Sequence, residues 1–426
     1  MLKNIIKNCI PSVFSLMLLG LYGVIDGLFI GNTVGDTGLS AINIAWPIAA
    51  FITALGAGVG IGGSVLISHK RGQGKTSEST EVFQNTFTLL VLTAIAALAV
   101  LFPTFRTLLT WLGARGEVYT QAEAYAMIII CGCIFQIIGT ASIPILRNYE
   151  LPFHAMLCMM SGTILNIVLN YILIIVLRLG IAGSAYGTIL SQCVVSILAI
   201  TIIIKKVGLS FKPRLDLIHI KQITKIGITG FGVSLAPSVT LMFTNLQCLA
   251  YGSDAAVASY AVISYISFPA QSMLQGVGEG TQPMMSFYSG VGDDSSLHKT
   301  AKISRILILI FGLFISISVL LLSPVIGQAF GLSEAGKDFF NSGIMVYALS
   351  FIVMAFCKFN LSYLNATLQT TKSIALTYME SLLISPILIF VLPHFFDITG
   401  IWLSYPATAL VMLIIYTCFM QNHQNH

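Results

Sequence analysis

Gly58-Val59-Gly60-Ile61-Gly62 and Gly276-Val277-Gly278-Glu279-Gly280 carry one pattern twice, 218 residues apart. The same offset lays Asp36 on Asp254, Ser68 on Ser286, and Gly72-Gln73-Gly74 on Gly290-Val291-Gly292. An offset of 217 lays Ile181-Ala182-Gly183 on Ile398-Thr399-Gly400. Each glycine match is weak alone, because glycine is frequent in membrane helices. Their common offset is the stronger signal, and it predicts a chain built as two copies. Both copies sit in long apolar surroundings. Of the 426 residues, 56% are apolar and 9% charged, against about 25% charged in a soluble chain. So few charges cannot coat the surfaces of soluble domains. A soluble enzyme, a disordered chain and a nucleic-acid binder are therefore poor readings.

A helix needs about 20 mostly apolar residues to cross a bilayer. Twelve stretches qualify: 9–31, 42–68, 82–102, 120–146, 154–177, 182–204, 227–250, 256–287, 303–323, 340–365, 373–393 and 400–420. They are too long and too uniformly apolar for barrel strands. The first is no cleaved leader, since its apolar run is full length and carries an acid near its end. Six spans per copy is an even number, so both copies enter the membrane from the same side. The expectation is an all-α integral membrane protein with twelve transmembrane helices in two six-helix lobes. The lobes, 1–204 and 227–426, are joined by the basic segment 205–226. They are expected to be related by a pseudo-twofold axis along the membrane normal, as in secondary transporters. The stretch 213–226 fits either a short surface helix or a solvated linker.

The charges fix an expected orientation. With the N-terminus inside, sixteen of the 21 Lys and Arg residues face the cytoplasm. Arg106, Arg115, Arg178 and Lys337 face out, and Lys358 lies within a span. This positive-inside bias predicts a multi-pass protein of the cell's inner membrane with both termini cytoplasmic. It explains the net charge of +5 without a nucleic-acid partner. The eight cysteines all fall in apolar segments, without metal-type spacing, and read as small buried residues. No metal cluster or cofactor is implied, and a monomer in the lipid bilayer is expected.

An ionised side chain at mid-membrane costs roughly 2.5–3.5 kcal/mol on insertion scales, so it needs a partner, water or a proton. Three acids lie within spans: Asp26, Glu279 and Glu380. Asp26 has no cation near it in sequence, and a lone carboxylate there can bind a proton or a sodium ion. Asn166 and Asn170 share one helix face, and span six adds Thr188, Ser191 and Gln192. Such oxygens suit sodium and equally suit interhelical hydrogen bonds. Glu279 stands between Gly278 and Gly280, with room for a cavity. Lys358 and Glu380, on consecutive spans, are expected to pair. The glycines of span two suit either tight packing or bending.

These residues resemble a known family. Pro11, Asp26-x-x-Phe29-x-Gly31, Gly35, Ala41, Pro47, Gly58 and Gly72-x-Gly74 look like the opening third of the MATE (multidrug and toxic compound extrusion) transporters. Leu165-Asn166-x-x-Leu169-Asn170, then Gly180-Ile181-Ala182-Gly183-Ser184-Ala185 and Thr188, resemble their fifth and sixth helices. Gly278-Glu279-Gly280-Thr281-Gln282-Pro283 and Gly290 resemble the eighth, and Arg147-Asn148 fits the bacterial DinF- and MepA-like branch. The likeness is most specific in 11–75 and 146–192 and thin in 300–420.

The resemblance implies a two-lobe antiporter that exports organic cations and other amphipathic compounds against inward sodium or proton flow. It places a cation site at Asp26, Asn166, an acid one turn later and Thr188. Here Asn170 stands where many relatives have that acid, which leaves open whether sodium or a proton is the coupling ion. The acids some branches use in spans seven and ten are absent. Tyr22, Trp46, Gln136, Asn245, Gln271, Glu279, Met285 and Tyr378 form the candidate substrate set, because aromatic faces and acids attract cations. With no P-loop, an ion gradient must supply the energy. A lipid-linked oligosaccharide or polysaccharide flippase is the rival reading, and the scarcity of buried bases argues against it. A membrane enzyme would need clustered His, Asp or Cys at one surface, and a channel a symmetric polar ring. Neither pattern is present in the sequence.

Overall fold

The computed structural model describes residues 2–208, 212–252, 254–329 and 334–421. The described residues form fourteen α-helices, three π-helical segments and no strand. In order they are α1 (Leu2–Thr33), α2 (Asp36–Gly72), α3 (Thr76–Trp111), α4 (Gly116–Cys131), α5 (Cys133–Asn148), α6 (Pro152–Asn170), α7 (Gly180–Ile202), α8 (Leu217–Tyr251), α9 (Asp254–Val291), α10 (Asp294–Ala329), α11 (Glu334–Ala366), α12 (Thr370–Tyr378), α13 (Ser385–Val391) and α14 (Pro393–Gln421). Ten spans among the described residues are long and apolar enough to cross a membrane. The pair α4 and α5, bent by 60°, makes an eleventh. α9 has the length but carries Gln271, Gln275, Glu279 and Gln282, which dilute its apolar run. Together these account for the twelve predicted stretches.

Several spans depart from simple rods. The stretch 120–146 is two helices meeting at Gly132, where a side chain would overlap Ile189 of α7. Span five ends in the π-helical segment Tyr171–Val176, and span eleven is α12, the π-helical segment Met379–Ile384 and α13 in succession. Of the two readings of 213–226, the short surface helix is not a separate element. Residues 212–216 are non-helical, and α8 runs from Leu217 straight into span seven. Side chains of α3 hold this stretch. The Arg214 N–H donates to Thr88 Oγ1 (3.1 Å), the Asp216 N–H to Asn85 Oδ1 (2.7 Å), and Arg214 pairs with Glu81 at 3.1 Å. Asp216 Oδ1 then accepts the Ile218 N–H at 2.9 Å, satisfying a donor that the helix start leaves open. That bond holds the Asp216 carboxyl below the usual range.

The chain packs as two compact units, and their limits fall inside helices rather than in 205–226. One unit is Leu18–Leu235 with Ser286–Gly292, and the other is Met1–Met17, Ala236–Met285 and Asp293–His426. The repeated glycines explain the cuts. In the first unit, a Cβ at Gly58 would lie 3.0 Å from the Gly227 carbonyl oxygen of α8, and one at Gly60 would lie 2.5 Å from Ala141 Cα of α5. In the second unit, a Cβ at Gly276 would lie 2.6 Å from Val13 Cα, and one at Gly280 would lie 2.8 Å from Cys9 Cα. The second helix of each repeat thus grips, backbone to backbone, the first helix of the other repeat. α2 is unbroken from Asp36 to Gly72, so its glycines serve packing.

The repeat is also written in the backbone. Residues with positive φ recur at the sequence offset: Gly74 and Gly292 (73° and 78°), and Glu150 and Leu368 (63° and 55°). At the 217-residue offset, Gly180 (57°) matches Asp397 (47°). The first unit's core is aliphatic and aromatic, with Ile52, Leu90, Phe105, Leu109, Ile130 and Ile137 among its buried residues.

Candidate functional site

Four residues far apart in sequence meet in the first unit. α1 supplies Asp26, which is 7% exposed. α6 supplies Asn166 and Asn170, one turn apart and both fully buried, and α7 supplies Thr188. Asn170 Nδ2 donates to Asp26 Oδ1 at 2.6 Å and also approaches Asn166 Oδ1 at 3.3 Å. Thr188 Oγ1 donates to Asp26 Oδ2 at 3.1 Å. Two oxygens 2.6 Å apart would repel, so the nitrogen is the end of Asn170 that faces an ionised Asp26. Among the described residues, no Lys or Arg pairs with Asp26.

Two amide atoms here are buried without a hydrogen-bond partner, Asn166 Nδ2 and Asn170 Oδ1. Polar atoms so placed are rare in folded proteins, and they leave the cluster with spare capacity. Asn170 fits only because position 187 is glycine: a Cβ there would sit 2.5 Å from Asn170 Oδ1. Gly187 was not evident from the sequence, because a glycine has no chemistry to notice.

The candidate substrate residues fare less evenly. Gln136 is buried, and its Nε2 donates to Thr53 Oγ1 at 2.6 Å, while its Oε1 has no partner. Trp46 is half-buried against Gly23 of α1. The Tyr22 side chain lies outside the described residues. In the second unit, Asn245, Gln271 and Tyr378 are half-buried. Glu279 accepts a hydrogen bond from Gln275 Nε2 at 2.6 Å. Met285 is fully buried. Lys358 and Glu380 do not pair with each other among the described residues. Five cysteines are buried as expected, but Cys193 is half-buried and Cys131 exposed, and the Cys418 side chain lies outside the described residues. No cluster of three His, Cys, Asp or Glu side chains occurs among the described residues.

Comparison with known proteins places this arrangement. The MatE family profile matches residues 11–172 and 231–391, one match in each repeat. The chain belongs to the MATE family. Multidrug export protein MepA of Staphylococcus saprophyticus is 27% identical over 434 residues, covering 97% of this chain and 93% of that protein. MepA of Staphylococcus haemolyticus is 28% identical over 428 residues, with the same coverage. Among solved structures, an outward-facing multidrug resistance MATE family transporter of the MOP superfamily matches with TM-score 0.93 at 22% identity, covering 99% of this chain and 95% of that one. A MATE protein in complex with MaL6 matches with TM-score 0.92 at 21% identity, covering 99% and 96%. These likenesses establish the twelve-helix, two-lobe membrane fold.

Proposed function

We propose that this MATE protein is an inner-membrane exporter of small organic cations and amphipathic compounds, driven by a proton gradient through Asp26. The observation that carries this reading is a buried carboxylate held by Asn170 and Thr188 with no basic partner among the described residues. Magnitudes explain why such a group suits coupling. Leaving an acid ionised at mid-membrane costs roughly 2.5–3.5 kcal/mol. Each hydrogen bond to a charged group returns about 1.5–3 kcal/mol. The two effects are of similar size, so a small shift of α1 against α6 and α7 changes whether Asp26 holds a proton. Alternating access needs that sensitivity, with proton and drug favouring opposite arrangements.

The donor set favours a proton over sodium. Sodium wants oxygen ligands, but Asn170 turns its nitrogen to Asp26 and bridges to Asn166. The MepA relatives are named as multidrug exporters, which supports drugs as the cargo.

Proteoliposomes loaded with a cationic dye test the proposal under separate proton and sodium gradients. Wild type is expected to release dye with the proton gradient. Asp26→Asn is expected to lose gradient-driven release while still binding dye. Full efflux by that variant would overturn the coupling role. Lipid scrambling without dye efflux would favour the flippase.

A further inference from the structure

Lys3-Asn4-Ile5-Ile6-Lys7 and Lys221-Gln222-Ile223-Thr224-Lys225 are a further repeat at the 218-residue offset, and the site above makes no use of them. Each stretch lies in the first helix of its copy, α1 or α8. Its second lysine stands two residues before the apolar span, which begins at 9 or at 227.

The two copies match in exposure as well as in sequence. Ile5 and Ile223 are fully buried, while the lysines on either side of each are exposed. Cys9 and Gly227 are buried, and Ile10 and Ile228 are exposed. One face of each helix is thus held by protein. A Cβ at Gly280 of α9 would lie 2.8 Å from Cys9 Cα, and one at Gly62 of α2 would lie 3.1 Å from Gly227 Cα. The other face carries Lys3, Lys7 and Ile10 in α1, and Lys221, Lys225 and Ile228 in α8, at the three- and four-residue spacing of one helix stripe.

Neither water nor hydrocarbon suits this face. Water would meet aliphatic side chains, and hydrocarbon would strand the ammonium groups. The polar boundary of a bilayer suits both, because a lysine there keeps its head at the headgroups while its stem and its aliphatic neighbours meet acyl chains. The depth of α8 agrees. Just before it, the Arg214 and Asp216 N–H groups donate to Thr88 and Asn85 of α3. Both acceptors lie in the first two turns of the predicted third span, 82–102. Like charges one turn apart destabilise a helix. No acid stands in the first turn of α1 or α8, and none of the four lysines forms an ion pair among the described residues. An anion from outside the chain relieves each pair.

We propose that each pair, Lys3 with Lys7 and Lys221 with Lys225, binds the headgroup phosphate of an anionic phospholipid, whose acyl chains lie along the exposed isoleucine one turn further on. Inorganic phosphate would engage the lysines and leave those isoleucines uncovered. A zwitterionic lipid would bring its own cation to the pair. The site does not depend on what the protein exports, so it stands apart from the coupling role given to Asp26.

Native mass spectrometry of the intact chain in detergent provides the test, with phosphatidylglycerol, phosphatidylcholine or inorganic phosphate added in turn. Wild type is expected to retain two molecules of phosphatidylglycerol. It should bind them roughly twentyfold more tightly than phosphatidylcholine, from about fivefold for each base near a charged surface. Lys3→Gln with Lys7→Gln should remove one molecule, Lys221→Gln with Lys225→Gln the other, and all four changes together should abolish the preference. Lys221→Arg with Lys225→Arg keeps the charge and should keep both lipids. Lys337→Gln, at the start of α11, should change nothing. Circular dichroism confirms that each variant keeps its helices. Equal binding of the two lipids, two phosphatidylglycerols retained by the fourfold variant, or their displacement by inorganic phosphate overturns the proposal.

Discussion

An amide at position 170 changes what Asp26 requires of its surroundings. The Asn170 nitrogen reaches both Asp26 and Asn166, so the side chains that meet the Asp26 carboxylate are uncharged dipoles. Asn170→Asp would place two carboxyls within 2.6 Å of each other, and like charges that close cannot both ionise without a cation between them. This variant is expected to gain sodium-dependent dye efflux, measured in proteoliposomes with and without a sodium gradient. Unchanged indifference to sodium would mean that the amide is not what excludes the ion. Gly187→Ala probes the same point from α7. Its methyl group would collide with Asn170 Oδ1 and displace the amide from Asp26. Overpacking of this kind costs about 1–3 kcal/mol, so a thermal melt should drop by a few degrees while efflux falls much further. Efflux that falls only in step with stability would show that Asn170 keeps its place. The four polar members of this cluster were legible because acids and amides are conspicuous in apolar spans. Gly187 was not, since its contribution is an absence that only packing reveals.

Helices here are held by what their glycines allow to come near. α2 touches α5 at Gly56 and Gly60 on one side and α8 at Gly58 and Gly62 on another. α9 repeats the α8 contact with the start of α1. The sequence pattern predicted two repeats and suggested their glycines, but not that the repeats trade first helices. An offset reports likeness between segments and says nothing of which partner each segment grips. The bend at Gly132 and the three π-helical segments were hidden for a related reason: an apolar run reads the same whether its helix is straight, bent or overwound. Gly60→Leu tests the packing. The added side chain has no space beside Ala141, so a loss of at least about 1–3 kcal/mol should appear as a lower unfolding temperature in detergent. Gly74→Ala serves as the comparison, since open space surrounds Gly74 but its φ is 73°. It should lose less, about 1–2 kcal/mol from backbone strain alone. A Gly60→Leu chain as stable as wild type would mean that α2 and α5 move apart without penalty.

Seen as a complete chain, the molecule carries its charge at helix ends, and that distribution predicts how it sits in the bilayer. Twelve spans is an even number, so the start of α1 and the end of α14 lie on one side. The basic segment 205–226 follows six spans and lies on that side too. There it is strapped to the start of α3 through Arg214, Glu81, Asn85 and Asp216. The opposite ends of the helices carry Arg115 and Lys337. Arg115 donates to the carbonyls of Thr110 and Ala114, and Lys337 pairs with Glu334 three residues before it. Sixteen bases against four should orient the chain with the first group in the cytoplasm. Single cysteines in a background without the eight native ones provide the measurement. Lys212→Cys, in the exposed non-helical stretch, should react with a membrane-impermeant thiol reagent only after the cells are opened. Arg115→Cys and Lys337→Cys should react in intact cells. The reverse pattern would place both termini outside. Asp26, in the half of span one nearer Arg115, would then meet the external proton pool through the other face, and the direction proposed for export would have to be reversed with it.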